Sequence, residues 1–159
     1  MDRCDRGTYG GVALIMVGAV GSIRRLSWRD RREVLVIVLV CAIVEVGIRV
    51  MRLPTLATRL GVPLDTSPGS RRRMTTAPPP WALRRLELAR GVVRSWPGGN
   101  TCLRRSLVMG NRVRSLHPHL RVGVAKDGAV LSAHAWLEFD GWYFDPAATD
   151  YEIVESIPP

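Results

Sequence analysis

The sequence is short of cysteine, of lysine and of any long apolar run, and each shortage excludes something. Its 159 residues hold only 3 Cys, at positions 4, 41 and 102. An odd, scattered set cannot form a disulfide framework and lacks the paired spacing of a structural zinc site, so a reducing compartment is expected. Lys126 is the only lysine among 23 basic residues, which leaves arginine to carry the positive charge. A spanning helix needs about 20 consecutive apolar residues. The uncharged stretch from Gly7 to Ile23 has 17, five of them Gly, and the apolar run Val34 to Val44 has 11 before it meets Glu45 and Arg49. The segment around VALIMVGAV shows no small-residue cleavage site ahead of Arg24-Arg25, which argues against a signal peptide. No internal repeat is visible.

What is present points to one compact α+β domain. The chain is long enough to bury a core, and with 47% hydrophobic residues it can offset its ordering entropy by burial. Charge is unevenly spread: residues 1 to 121 hold 22 Arg and 7 acids (net +15), residues 122 to 159 one Lys and 7 acids (net −6). The basic half reads as solvated helix faces or as a surface for an anionic partner. A specific nucleic-acid partner is not expected, nor is contact with a membrane, because the run at 34 to 44 reads as a buried helix.

Four regions follow from the composition: a Gly-rich apolar extension (1 to 23), an N-terminal helical region (24 to 62), a Pro-rich linker (63 to 80) and a C-terminal core (81 to 159). Ser27 is placed to cap a helix over about 28 to 52, with Asp30 and Glu33 in its first turns and Pro54 at its end. After Pro78-Pro79-Pro80, Leu83, Leu86, Leu88, Ala89 and Val93 recur at helical spacing, with Arg84, Arg85 and Arg90 opposite. Pro97-Gly98-Gly99-Asn100 breaks the chain. A third helix then starts at Thr101 or Cys102, capped by Asn100 or Thr101, and runs to about Leu116. Beyond it the period becomes two, and Asp127-Gly128 and Asp140-Gly141 between apolar runs predict a three-stranded antiparallel meander.

The candidate chemistry lies where the third helix meets this sheet. Cys102 stands at a helix N-terminus, where free N–H groups and the helix dipole stabilise a thiolate. An Asp140-Gly141 turn would pair Trp136 with Asp145, making Asp145 the diagonal neighbour of His134 at roughly 7 to 8 Å between backbone positions. That is nucleophile, base and orienter on one face. The same parity puts Val122, Val124, Ala133, Ala135, Leu137 and Phe139 on a core face. His134, Trp136, Glu138 and Tyr143 fall on the other, with small Gly123, Ala125 and Ser132 leaving room for a helix end. The Cys102 N–H is the expected oxyanion donor, with Asn100, Trp96 and Trp136 as candidate helpers or substrate contacts. Asp140 is consumed by the turn and Asp150 lies past Pro146, so Asp145 leads as orienter. His117 and His119 around Pro118 gather no Cys or acid, so neither a metal nor a cofactor is expected.

Cys102, then HAWLE at 134 to 138, then GWYFDP at 141 to 146 resembles the transglutaminase-like branch of papain-type cysteine enzymes. More narrowly, TCLRRSL at 101 to 107, VGV at 122 to 124 and SAHAWLEFDG at 132 to 141 resemble the leader peptidases of lasso-peptide biosynthesis. That resemblance implies Cys102 as nucleophile, His134 as general base and Asp145 as its orienter. It also implies a cytoplasmic enzyme that cuts a ribosomally made precursor peptide between leader and core. A separate leader-recognition protein and an ATP-dependent cyclase would act beside it. The alternatives are acyl transfer to an amine by the same triad, and a non-catalytic basic binding module.

Overall fold

The computed structural model describes residues 27 to 67, 72 to 73, 78 to 127, 130 to 139, 142 to 143 and 151 to 153. Helix α1 spans Trp28–Val50 and opens on the Ser27 hydroxyl, which accepts the Asp30 N–H at 3.2 Å. Val and Ile are poor helix formers. α1 is held instead by packing along Ile37, Val40, Cys41, Val44 and Gly47. The buried helix expected here is therefore half-covered: Leu35, Leu39, Val46 and Val50 on its outer side are exposed. No described helix is long and apolar enough to cross a membrane.

Met51 turns extended, and a helix not expected from the sequence follows, α2 (Leu53–Arg59), with Pro54 in its first turn. Proline suits that position, where an N–H would lack a partner in any case. A Cβ on Gly47 would collide with the Leu56 side chain, so the glycine lets α2 settle on α1.

The 63 to 80 connection begins against the sheet. Leu64 bridges to Leu120, the Leu120 N–H donates to Pro63 at 2.9 Å, and the Asp65 N–H donates to Leu120 at 3.0 Å. Farther on in the same connection, β1 is the two-residue strand Arg72–Arg73. Helix α3 (Pro80–Arg94) buries Ala82, Leu86, Ala89 and Val93. Its inner stripe starts from Ala82, because Leu83 is turned outward. Helix α4 (Cys102–Arg112) is capped by Thr101, whose hydroxyl accepts the Arg104 N–H at 3.3 Å. It stops short of the expected Leu116, and a 3-10 turn covers Arg114–Leu116.

The long strands are β2 (His119–Asp127) and β3 (Val130–Glu138), antiparallel, with Gly123 opposite His134 and Leu120 opposite Leu137. Asp127 pairs with Val130, one step later than an Asp127-Gly128 loop would give, and the shift preserves the sorting of faces. The predicted meander is corrected. β4 (Trp142–Tyr143) pairs in parallel with β1, and the third strand of the main sheet is β5 (Glu152–Ile153), antiparallel to β2 in the order β3-β2-β5. Among the described residues β3 and β4 form no ladder, and Trp142 and Tyr143 lie opposite Arg72 and Arg73.

One core joins these elements. Ile37 and Val44 of α1, Leu56 of α2, Val93 of α3, Leu107 of α4 and Leu120 and Leu137 of the sheet belong to the same buried cluster. Ion pairs lace its edge: Arg112 of α4 grips Glu33 of α1 through two bonds of 2.8 and 3.1 Å, and Arg84 of α3 reaches Asp30 at 3.0 Å.

Candidate active site

α4 approaches β3 along the core face and the strand's open edge. A strand residue points its N–H and C=O to the same side. Ala135 turns both toward α4: its C=O accepts the Ser106 hydroxyl at 3.0 Å and its N–H meets the Cys102 sulfur. Cys102 and Ser106 are four residues apart and thus neighbours on one helix face. Together they satisfy two backbone groups of one residue that an edge strand would leave bare. The helix was expected to face the His134 side of the sheet, over Gly123, Ala125 and Ser132. That side is already filled, because Arg121 and Glu138 lie buried on it, joined by bonds of 3.0 and 3.1 Å. Arg121 also donates to Ser67 O at 2.6 Å and to Asp65 O at 3.0 Å, which pins the start of the 63 to 80 connection.

Cys102 and His134 meet at this edge. The imidazole is hydrogen-bonded to the thiol and holds it below its ordinary pKa, assisted by the N–H groups of Ala135 and Leu103 and opposed by partial burial. The backbone donors at the helix start can be accounted for one by one. Arg104 N–H goes to Thr101, Leu103 N–H to the sulfur, and Arg105 N–H to Thr101 O at 3.0 Å. The Cys102 N–H has no acceptor within the helix. It stands beside the sulfur, where the oxygen of an attacked carbonyl would develop charge.

His134 is held between two aromatic rings. Trp136 stacks on it at 6.1 Å between centroids and 17° between planes, and Tyr151 leans on it at 5.0 Å and 31°. The register explains the second contact. Gly123 lies opposite both His134 and Ile153, and Tyr151, two residues before Ile153, reaches the imidazole past a position with no side chain. Tyr151 was not foreseeable from the sequence pattern, since a two-residue strand has no period to read.

The remaining expected residues are placed as follows. Trp136 is buried behind His134 and braces it. Trp96 is half-buried and its side chain is hydrogen-bonded to Glu45, while Asn100 is exposed just ahead of the Thr101 cap. Asp145, like Asp140 and Asp150, lies outside the described residues. His117 closes the 3-10 turn at a left-handed φ of 49° and His119 opens β2. No group of three residues able to hold a metal gathers among the described residues.

A thiol hydrogen-bonded to an imidazole at a helix start, with the imidazole on an adjoining strand, is the arrangement of papain-like acyl-transfer enzymes, and the sequence agrees. The family model for the transglutaminase-like superfamily matches residues 39 to 155, from the middle of α1 to beyond β5. The chain belongs to the transglutaminase-like superfamily. Neither the curated proteins nor the solved structures contain a match. Membership is consistent with a cysteine-based peptidase or acyl transferase, and the matched span holds Cys102, His134 and Tyr151 together.

Proposed function

We propose that the protein is a cysteine peptidase that removes the leader from a lasso-peptide precursor. The observation that carries this reading is the thiol–imidazole pair at the start of α4, on the TCLRRSL and SAHAWLEFDG motifs. The Cys102 thiolate attacks the carbonyl carbon of the last leader residue, and the oxyanion takes a hydrogen bond from the Cys102 N–H. As the C–N bond breaks, the His134 imidazolium gives its proton to the departing core amine and the leader stays as a thioester. His134 then takes a proton from water, water attacks the thioester, and the leader leaves as a carboxylate with the thiolate restored. Asp145 is assigned as the orienter of His134 by its place in GWYFDP. A separate protein presents the leader, and an ATP-dependent cyclase closes the freed core amine onto a side-chain carboxylate. The reaction is placed in the cytoplasm.

The test is incubation with a precursor peptide encoded beside this gene, with and without a leader-binding protein from the same cluster, read by mass spectrometry. The expected products are a free core and a leader ending in a carboxylate, absent with Cys102→Ala. A leader joined to an added amine instead of water would assign the same residues to transglutaminase-type transfer. Intact precursor in every arm would overturn the peptidase reading.

A further inference from the structure

Glu45 is the only acid in the second half of α1, set in the apolar sequence VCAIVEVGI, yet its carboxylate faces the turn that carries Cys102. Arg104 grips it with two bonds, Nε to Oε2 at 2.9 Å and a terminal guanidinium nitrogen to Oε1 at 3.3 Å, and Arg49 adds a third at 2.7 Å. The Trp96 side chain is hydrogen-bonded to the same carboxylate. Gly98 passes so close that a Cβ there would collide with Glu45. Arg104 in turn donates its backbone N–H to the Thr101 hydroxyl, and one of its guanidinium nitrogens lies 3.5 Å from the same oxygen. The carboxylate therefore touches the chain at Trp96 and Gly98 before the cysteine and at Arg104 after it. It is mostly buried, as is Arg104.

We propose that Glu45 is a positioning residue for the nucleophile: its carboxylate clamps both arms of the 96 to 104 turn and thereby fixes the Cys102 sulfur against His134 and the Ala135 N–H. The inference rests on the reading of Cys102 as nucleophile. A group held at reacting distance by its surroundings loses rate steeply when the support loosens, with about 1 Å costing up to about a hundredfold. Glu45 touches neither substrate nor sulfur, so its effect is indirect.

The sign of the response separates clamping from simple electrostatics. Deleting a nearby negative charge would by itself favour the Cys102 thiolate and lower the pH at which it reacts. Releasing the turn weakens the imidazole and N–H contacts and raises that pH. The experiment follows Cys102 alkylation by iodoacetamide against pH, by peptide mass spectrometry, on the full chain and on Glu45→Ala, Glu45→Gln, Arg104→Ala and Glu45→Ala/Arg104→Ala. His134→Ala serves as reference and the resistance of Cys41 to alkylation as the check on folding. The expected result is an upward shift in Glu45→Ala, alkylation about tenfold slower at pH 6.5, partial rescue in Glu45→Gln, and a double variant no worse than Glu45→Ala alone. A downward shift or none, with wild-type Cys102 still reacting early and His134→Ala abolishing that advantage, overturns the clamp and spares the nucleophile. A wild-type Cys102 that reacts no earlier than an ordinary thiol and ignores His134→Ala overturns the underlying reading. A Glu45→Ala variant that exposes Cys41 assigns Glu45 to folding, unless the milder Glu45→Gln shifts Cys102 while Cys41 stays protected.

Discussion

Cys41 and Cys102 both lie on helices and both pack against the apolar core, yet they are opposite kinds of thiol. Cys41 sits midway along α1, where every backbone N–H is already bonded within the helix. Burial alone acts on it and pushes its pKa up to about 11. Cys102 sits on the first turn of α4, where N–H groups are still free, and its sulfur faces an imidazole from one side and the Ala135 N–H from the other. Burial raises the pKa of both thiols, and only at Cys102 do hydrogen-bond donors outweigh it. Place on the helix thus separates a structural cysteine from a nucleophile.

The sharpest way to break this comparison is to exchange the two losses. Cys102→Ala removes the attacking atom, so precursor cleavage is expected to fall by about 10⁴-fold or more. Cys41→Ala trims a small buried side chain and leaves cleavage within about twofold of the parent, at a modest cost in thermal stability. Equal activity losses in the two variants would show that the thiols are not functionally distinct.

The next largest effect separates the imidazole from the helix start. His134→Ala deletes the leading cause of the lowered Cys102 pKa. The thiol should then titrate closer to its ordinary range, and its alkylation at pH 6.5 should slow by about tenfold as the thiolate fraction falls. Cys41 should not respond. If the reactivity of Cys102 persists without His134, the backbone N–H groups of Leu103 and Ala135 sustain the thiolate.

Much of this pair was legible in the sequence, because it depends on local patterns. A hydroxyl ahead of a helical pattern, or a carboxylate in its first turn, marks a helix start whatever the rest of the chain does: Ser27 serves as read, and of the two caps offered for the Cys102 helix Thr101 is the one used. Period-two parity correctly separated Ala135, Leu137 and Phe139 from His134 and Glu138, although Ala133, read onto the same core face, is exposed. Parity identifies opposite faces, however, not which of them receives the helix. That choice was made by Arg121, whose burial against Glu138 filled the side expected to be hollow. The pairing of Trp142 with Arg72 and of Ile153 with Gly123 joins two-residue strands far apart in the chain. Such contacts are fixed by tertiary packing and leave no period to detect. Tyr151 reaches the site through the β5 pairing and Glu45 through its ion pair with Arg104, although an isolated acid in an apolar helix was a signal that could have singled out Glu45.

The finest distinction compares the two caps. Ser27 heads the helix of Cys41 and Thr101 the helix of Cys102, and each hydroxyl accepts the N–H three residues on, at 3.2 and 3.3 Å. Both caps are exposed, so either alanine substitution passes the N–H to water and should lower stability by about 1 kcal/mol, seen as a shift in denaturant midpoint at unchanged m. Their effects on reactivity should differ. Ser27→Ala frays a helix end remote from either sulfur and should leave both alkylation profiles unchanged. Thr101→Ala loosens the turn on which Cys102 stands and removes a tie to Arg104, so Cys102 alone should slow, by about two- to threefold at pH 6.5. Matched stability losses with unmatched reactivity would show that the geometry of one helix start, beyond general stability, keeps the thiol ready. Identical slowing in both variants would trace the reactivity of Cys102 to overall stability and remove the distinction.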